Sequence, residues 1–193
     1  MNLEEKRKKL RELYDQYERE VVEFKKAAAC EIRCADCCID VGNIDITTLE
    51  GIIIYEQIAS FEEQIHTEIK NRLAKNKAER EEKKLSRCAF LNEDKLCIIY
   101  DIRPFSCRQL YSVKRCDGAS PTIHRQAVEI GRQIREKIQQ LDLSGYSGHI
   151  SYILYLLDND NFRKCYLSGK SDPKRIFDFG RSHGILINRF LTK

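Results

Sequence analysis

Residues 30–38 read "CEIRCADCC" and place four of the chain's nine cysteines within nine positions. The other five, Cys88, Cys97, Cys107, Cys116 and Cys165, are spread over the rest of the chain. A thiolate is a soft ligand for zinc, iron or an iron–sulfur cluster, and four converging thiolates complete one tetrahedral site. The density of thiols in this stretch therefore predicts that metal or redox chemistry organises the fold.

The composition describes the surroundings of these thiols. Hydrophobic residues make up 42% of the 193 residues and charged residues 33%, which is typical of a folded chain with a well-solvated surface. The N-terminus lacks the apolar core of a signal peptide, and no stretch approaches the roughly 18 apolar residues of a membrane span. We therefore expect a cytoplasmic protein with no membrane partner, and a reducing cytosol keeps thiols from pairing as structural disulfides.

Spacing within the cysteine-rich stretch leaves more than one arrangement open. Cys34 and Cys37 are separated by two residues, a spacing that lets both ligands reach one ion. The adjacent Cys38 points elsewhere in most backbone conformations, which indicates a second ion, a cluster or one structural thiol. If the preceding helix continued through the stretch, these three cysteines and Cys30 would all lie on one helical face.

Helical patterns surround the cysteines. Apolar side chains at three- and four-residue spacing predict an amphipathic helix over 3–29. It could form a homodimer as a coiled-coil arm, but fewer than four heptads are present, which favours a helix that lies on its own domain.

Two capping boxes, Thr47 with Glu50 and Ser60 with Glu63, predict two further helices that start directly after Thr47 and Ser60.

The second cysteine-rich stretch, "RCAFLNEDKLCIIYDIRPFSCRQ", covers residues 87–109. Two short apolar runs flank the turn-like "NEDK", which predicts a β-hairpin or knuckle that brings Cys88 and Cys97 together. Pro104 fits the first turn of a short helix that carries Cys107. Together these patterns predict a mainly α fold: a helical domain with a short β-hairpin or knuckle around a cysteine-built metal centre.

These motifs resemble a known family. "CADCC" preceded by Cys30, "CAFL", "CIIYDIRPFSCRQ" and Cys116 with Arg125 downstream are similar to the YkgJ-type cysteine-cluster proteins, also called the CxxCxxCC or zinc- or iron-chelating domain. The resemblance spans residues 30 to about 125. It implies zinc or iron as cofactor, or an iron–sulfur cluster, and it implies these metal-site residues: Cys30, Cys34, Cys37, Cys38, Cys88, Cys97, Cys107 and Cys116.

The chain departs from the family pattern at two places. Three residues separate Cys30 from Cys34 where the family usually has two, and Asp101 stands where the family commonly has Glu. A flagellin lysine methylase is linked to the same cysteine pattern. An iron–sulfur-dependent enzyme, such as a relative of that methylase, is therefore one alternative function, and a thiol redox sensor or metal carrier is another.

Three regions follow from these patterns. We expect an N-terminal helix (1–29), a cysteine-cluster metal-binding region (30–125) and C-terminal helices (126–193) that pack on the same domain. A basic run over 70–87 has an excess charge of +5 but no aromatic residue that could stack on bases, so we do not expect nucleic-acid binding.

Single residues outside the cluster carry weaker signals. Arg103 and Arg108 flank Cys107 and either donate to thiolate sulfur or serve an ordinary ion pair or helix end. Cys165 is expected in the core. His124, eight residues after Cys116, is kept as a reserve ligand.

Overall fold

Helices dominate the computed structural model, which describes residues 1–39, 44–82 and 86–170. The elements of that part of the chain are α1 (Leu3–Lys25), α2 (Asp36–Ile39), β1 (Asp45–Thr47), α3 (Thr48–Ala59), α4 (Glu63–Glu81), a 3₁₀ helix (Tyr100–Ile102), α5 (Phe105–Arg108), α6 (Arg125–Leu141), β2 (Ser147–His149), α7 (Ile150–Asp158) and α8 (Asp160–Leu167). The predicted mainly α fold class is confirmed.

The N-terminal helix lies along the body of the protein. α1 begins at a capping box between Asn2 and Glu5, which satisfies the first free amides of the helix. Its apolar face buries Leu10, Tyr17 and Val21 against α6. Within one chain the helix therefore packs on its own domain, and homodimerisation stays a prediction.

One of the two predicted capping boxes forms. The Thr47 hydroxyl accepts the Glu50 N–H at 3.2 Å, and the Glu50 carboxylate accepts the Thr47 N–H at 2.8 Å, so α3 begins as predicted. The predicted capping box between Ser60 and Glu63 does not form, so this prediction is wrong. The Ser60 hydroxyl instead donates to the Gln57 carbonyl at 2.7 Å and closes the end of α3, and α4 begins without a side-chain cap.

A small antiparallel sheet joins two distant parts of the chain. β1 pairs with β2 so that Asp45 lies opposite His149 and Thr47 opposite Ser147. The strands lead directly into α3 and α7, which pack on each other. Beside the sheet, the Ile150 N–H donates to the Ile44 carbonyl at 2.9 Å. The sheet therefore fixes where α3 and α7 begin.

The apolar core has two parts. The first lies between α3, α4 and α7 and includes Phe90 and Ile99 of the second cysteine stretch. The second lies between α1 and α6 and includes Phe105, whose ring meets that of Tyr17 edge-on at 5.0 Å. Both parts of the core thus hold residues from 87–109, so this stretch is built into the fold rather than attached to its surface.

No helix in the described ranges is long and apolar enough to cross a membrane. The division at residues 29 and 125 stays a prediction, and residues 171–193 of the predicted C-terminal region lie outside the described part.

Candidate metal centre

The first cysteine stretch does not continue the N-terminal helix. α1 ends at Lys25, so the arrangement in which a continued helix would place four cysteines on one face does not occur. The Ala29 N–H donates to the Ser112 carbonyl at 2.7 Å, and the Cys30 sulfur accepts the Ser112 N–H at 3.3 Å. These tertiary bonds override the helix propensity of the preceding alanines. The chain then turns through Arg33, which has a left-handed φ of 70°.

The second cysteine stretch forms the predicted knuckle. Leu91 and Cys97 make one antiparallel bridge, and Lys95 closes the turn with a left-handed φ of 60°. Burial raises the pKa values of Cys88 and Cys97, and backbone N–H groups around the turn oppose this rise: those of Phe90 and Leu91 for Cys88, and that of Ile99 for Cys97. These amides therefore favour the thiolate form, as the outer hydrogen bonds of metal sites do.

Backbone contacts bring the two stretches together. The Cys88 N–H donates to the Cys38 carbonyl at 2.8 Å, which joins α2 to the knuckle. α5 follows Pro104, as predicted, and carries Cys107. The Phe105 N–H donates to the Glu50 carboxylate at 2.8 Å, and this bond fixes α5 to the start of α3.

Most of the predicted ligands line one cavity. Its volume is about 530 Å³, and its wall includes seven of the nine cysteines: Cys30, Cys34, Cys37, Cys38, Cys88, Cys97 and Cys107. The eighth predicted ligand, Cys116, lines a neighbouring cavity of about 290 Å³ together with Cys30 and Cys34. The fold thus collects all eight predicted ligands around two adjoining cavities, and the role of each as a ligand stays a prediction.

The ninth cysteine lies apart from both cavities. Cys165 is exposed on α8, so its predicted core position is wrong. The next residue, Tyr166, turns inward instead, and its hydroxyl donates to the Asp142 carboxylate at 2.8 Å. Consecutive residues of a helix point about 100° apart, so burial of Tyr166 turns Cys165 outward.

Burial controls the protonation of the inner thiols. It raises the pKa of Cys88 to about 11 and also raises the pKa of Cys107. The sulfurs of Cys37 and Cys38 lie 4.0 Å apart, and their hydrogen bond lowers the pKa of Cys37 and raises that of Cys38. Most of these groups therefore carry protons at neutral pH, and a bound metal ion would have to displace them.

Of the two arginines that flank Cys107, Arg103 is the one that faces the thiols. Its guanidinium lies over the Tyr100 ring at 4.0 Å, and its side chain forms part of the wall of the larger cavity. Within the described residues its Nε is buried without a hydrogen-bond partner. The positive charge favours the thiolate forms of Cys97 and Cys107.

Arg108 has a different role. Its guanidinium donates to the backbone carbonyls of Arg103 at 3.0 Å and Asp101 at 2.9 Å, and it lies over the Tyr14 ring. Arg108, which follows Pro104, is therefore bonded to the segment that precedes Pro104. His124 is likewise structural in its contacts, because its ring caps α6 and stacks on Phe24 at 4.5 Å.

The sulfurs face the cavities without meeting at one point. Across residues 1–39, 44–82 and 86–170, no three Cys, His, Asp or Glu side chains are placed so that they could hold a metal ion. Cysteine side chains turn between staggered rotamers by rotation about one bond. Binding of a metal ion therefore requires the thiols to turn towards a common centre.

The comparison with protein families bears on this arrangement of thiols. The model of the CxxCxxCC family, described as "Putative zinc- or iron-chelating domain", matches residues 29–137. The chain belongs to the CxxCxxCC family. The CxxCxxCC match holds all eight cysteines of the two cavities and leaves out Cys165. No curated protein and no solved structure matches the chain.

The sequence patterns did not predict part of the wall of the larger cavity in this CxxCxxCC protein. Leu73 and Asn76 of α4 line it, as do Ile44 and Ile150 beside the sheet. Asn76 is buried, and its side chain donates to the Arg87 carbonyl at 2.9 Å, next to Cys88. The available signal was that Asn76 is polar but lies on the apolar face of α4 with Ile69 and Leu73. The many charged residues around it made this pattern hard to recognise in the sequence.

Proposed function

We propose that the protein binds zinc or iron through the thiolates of its cysteine cavities. One observation carries this proposal: seven cysteines from two distant stretches line a single cavity of about 530 Å³. Thiolates select zinc, iron and iron–sulfur clusters over harder cations such as magnesium or calcium. Both the donor set and membership of the family support a metal of this class.

A bound metal would act first as a clamp on the fold. The 49 residues from 39 to 87 separate the two cysteine stretches and include α3 and α4. A ligand that binds only the folded state adds its binding free energy to the free energy of unfolding. The metal would thus hold both ends of this segment at the same place.

The residues around the sulfurs suit a negatively charged thiolate site. The amides of Phe90, Leu91 and Ile99 favour the thiolate forms of Cys88 and Cys97, and the Arg103 guanidinium contributes a positive charge. Both contacts offset the cost of gathering several thiolates in a partly buried place.

Metal analysis of anaerobically purified protein tests the proposal. The informative variant is Cys88→Ser with Cys97→Ser, and Cys165→Ser is the matched control because Cys165 lies outside both cavities. We expect at least one equivalent of zinc or iron in the wild type and the control, and less metal in the double variant. Freshly prepared wild-type protein without metal would overturn the proposal.

An iron–sulfur cluster is the second candidate. The cavity is larger than one ion requires, and apolar side chains such as Leu73, Phe90 and Ile150 form much of its wall. Burial and hydrogen bonds to sulfur are the features by which proteins tune such clusters. Brown protein with iron and acid-labile sulfide would support the cluster and the alternative of an iron–sulfur enzyme.

A thiol sensor or metal carrier would use the same cysteines differently. The 4.0 Å separation of the Cys37 and Cys38 sulfurs places two thiols side by side at the cavity. Colourless protein with zinc that leaves reversibly on mild oxidation would support this alternative. Zinc that resists mild oxidation would favour a structural metal site.

A further inference from the structure

The eight cysteines of the cavities divide into two spatial groups. Cys30, Cys34 and Cys116 line the smaller cavity, and the first two are exposed. Cys30 and Cys34 also line the larger cavity. Cys38, Cys88, Cys97 and Cys107 line only the larger cavity and form the inner group, and Cys37 likewise lines only the larger cavity.

Beside burial and hydrogen bonding, charges on neighbouring thiols raise the pKa values of these cysteines, and most of these neighbours belong to the same group. Cys30 interacts with Cys34, Cys37 and Cys116. Cys107 interacts instead with Cys37, Cys88 and Cys97, and Cys38 interacts with Cys37, Cys88 and Cys107. Cys37 thus acts on thiols of both groups, and its sulfur lies 4.0 Å from that of Cys38.

The geometry of α2 explains why adjacent cysteines serve different groups. Successive residues of a helix point about 100° apart, so Cys37 and Cys38 face different directions. Cys37 also stands three positions after Cys34, and two intervening residues are the spacing with which two cysteines share one ion. Cys37 therefore pairs with the outer group and Cys38 with the inner one.

We infer that the chain holds two four-thiolate metal sites. The outer site consists of Cys30, Cys34, Cys37 and Cys116, and the inner site of Cys38, Cys88, Cys97 and Cys107. The inference rests on the proposed function, and it assigns a second ion and a ligand set to each ion. Four cysteines complete a closed tetrahedral site, the usual form of structural zinc sites.

Backbone contacts position each group separately. The outer group is held by the Ser112 N–H, which donates to the Cys30 sulfur at 3.3 Å, and by a turn in which the Ala119 N–H bonds the Cys116 carbonyl at 2.7 Å. The inner group is held by the knuckle and α5. The Cys88–Cys38 backbone bond then ties the inner site to α2.

Zinc titration of the reduced full-length protein tests the division. Bound zinc is counted by mass spectrometry after gel filtration, and the absorption of bound Co²⁺ reports tetrahedral thiolate coordination. The outer variant is Cys34→Ser with Cys116→Ser, the inner variant is Cys88→Ser with Cys97→Ser, and Cys165→Ser is the control. We expect two equivalents of zinc in the wild type and the control, and one in the outer variant.

The outcomes separate the two proposals. Two equivalents in the wild type and one in a folded outer variant support two sites, even if the inner variant does not fold. One equivalent in the wild type overturns the second site but leaves metal binding intact, whereas none overturns both. Two equivalents that persist in the outer variant overturn the assignment of ligands. Circular dichroism establishes that each variant is folded.

Discussion

The backbone N–H of Cys88 donates a hydrogen bond of 2.8 Å to the carbonyl oxygen of Cys38. This bond joins the two cysteine stretches through main-chain atoms, so the position of one stretch against the other does not depend on any side chain of the pair. It also places the first cysteine of the knuckle next to the last cysteine of α2.

Metal removal should lower the thermal stability of the protein. A metal at a thousandfold excess over its dissociation constant stabilises the folded state by about 4 kcal/mol. We expect a large fall in the melting temperature after chelation under reducing conditions, followed by circular dichroism, and recovery when zinc is returned. Cys165→Ser should respond like the wild type, and equal melting temperatures with and without chelator would contradict a structural metal.

Arg103→Gln should weaken metal binding, because it removes one of the positive charges at the wall of the thiol cavity. Substitutions around the ligands of metal sites cost about 10- to 100-fold in affinity. Competition for zinc with a chromophoric chelator measures the change. Arg103→Lys keeps the charge and should retain most of the affinity; an affinity of Arg103→Gln equal to that of the wild type would exclude this role.

Asp142 should make the free energy of unfolding depend on pH. Burial raises its pKa to about 6, although its carboxylate accepts the Leu49 N–H and the Tyr166 hydroxyl, each at 2.8 Å. The folded state therefore binds a proton more readily than the unfolded state, in which the pKa is near the ordinary 3.8. As pH rises from about 4 to about 6, the contribution of Asp142 to the free energy of unfolding falls, by about 3 kcal/mol in total.

Asp142→Asn isolates this effect because the amide does not titrate. The wild type should gain stability relative to Asp142→Asn as pH falls from about 6 towards 4, measured by urea unfolding at several pH values. A constant difference between the two proteins over that range would show that the pKa of Asp142 is not raised.

Gly51→Ala should destabilise the contact between α3 and α7. A Cβ at Gly51 would lie 2.6 Å from Ile153 Cγ2 and 2.9 Å from Leu157 Cδ1, well inside van der Waals contact. Overpacking of this kind costs about 1–3 kcal/mol. Urea unfolding measures the loss, and Val128→Ala, at an exposed site on α6, should change stability by much less. Equal stabilities of Gly51→Ala and the wild type would mean that α3 and α7 move apart enough to accommodate the Cβ without strain.

Local patterns predicted the elements that depend on local physics. The apolar spacing of α1 and the capping box of Thr47 and Glu50 involve residues within one or two helical turns, so the sequence carries their full cause. The knuckle is local in the same sense, because Leu91 and Cys97 meet across a short turn. The cysteine motifs also sufficed to identify the family.

Contacts between residues far apart in the sequence determined the end of α1 and the pairing of the two strands. The alanines after Lys25 favour a longer helix, and the bonds of Ala29 and Cys30 to Ser112 divert the chain there. The residues of β2 have no strand pattern, and they pair with β1 because α3 and α7 pack together. Such contacts join residues about 100 positions apart, so their energies do not appear in any short stretch of sequence.

The sequence by itself determined the helical class, the knuckle and the set of eight cysteines, because spacing and residue type are local properties. Only the tertiary structure decided that Cys165 faces outward, that Arg103 rather than Arg108 faces the thiols, and that the cysteines line two cavities. The physical reason is the same in each case. The direction of a side chain depends on what its own element buries, and packing against distant parts of the chain settles that choice.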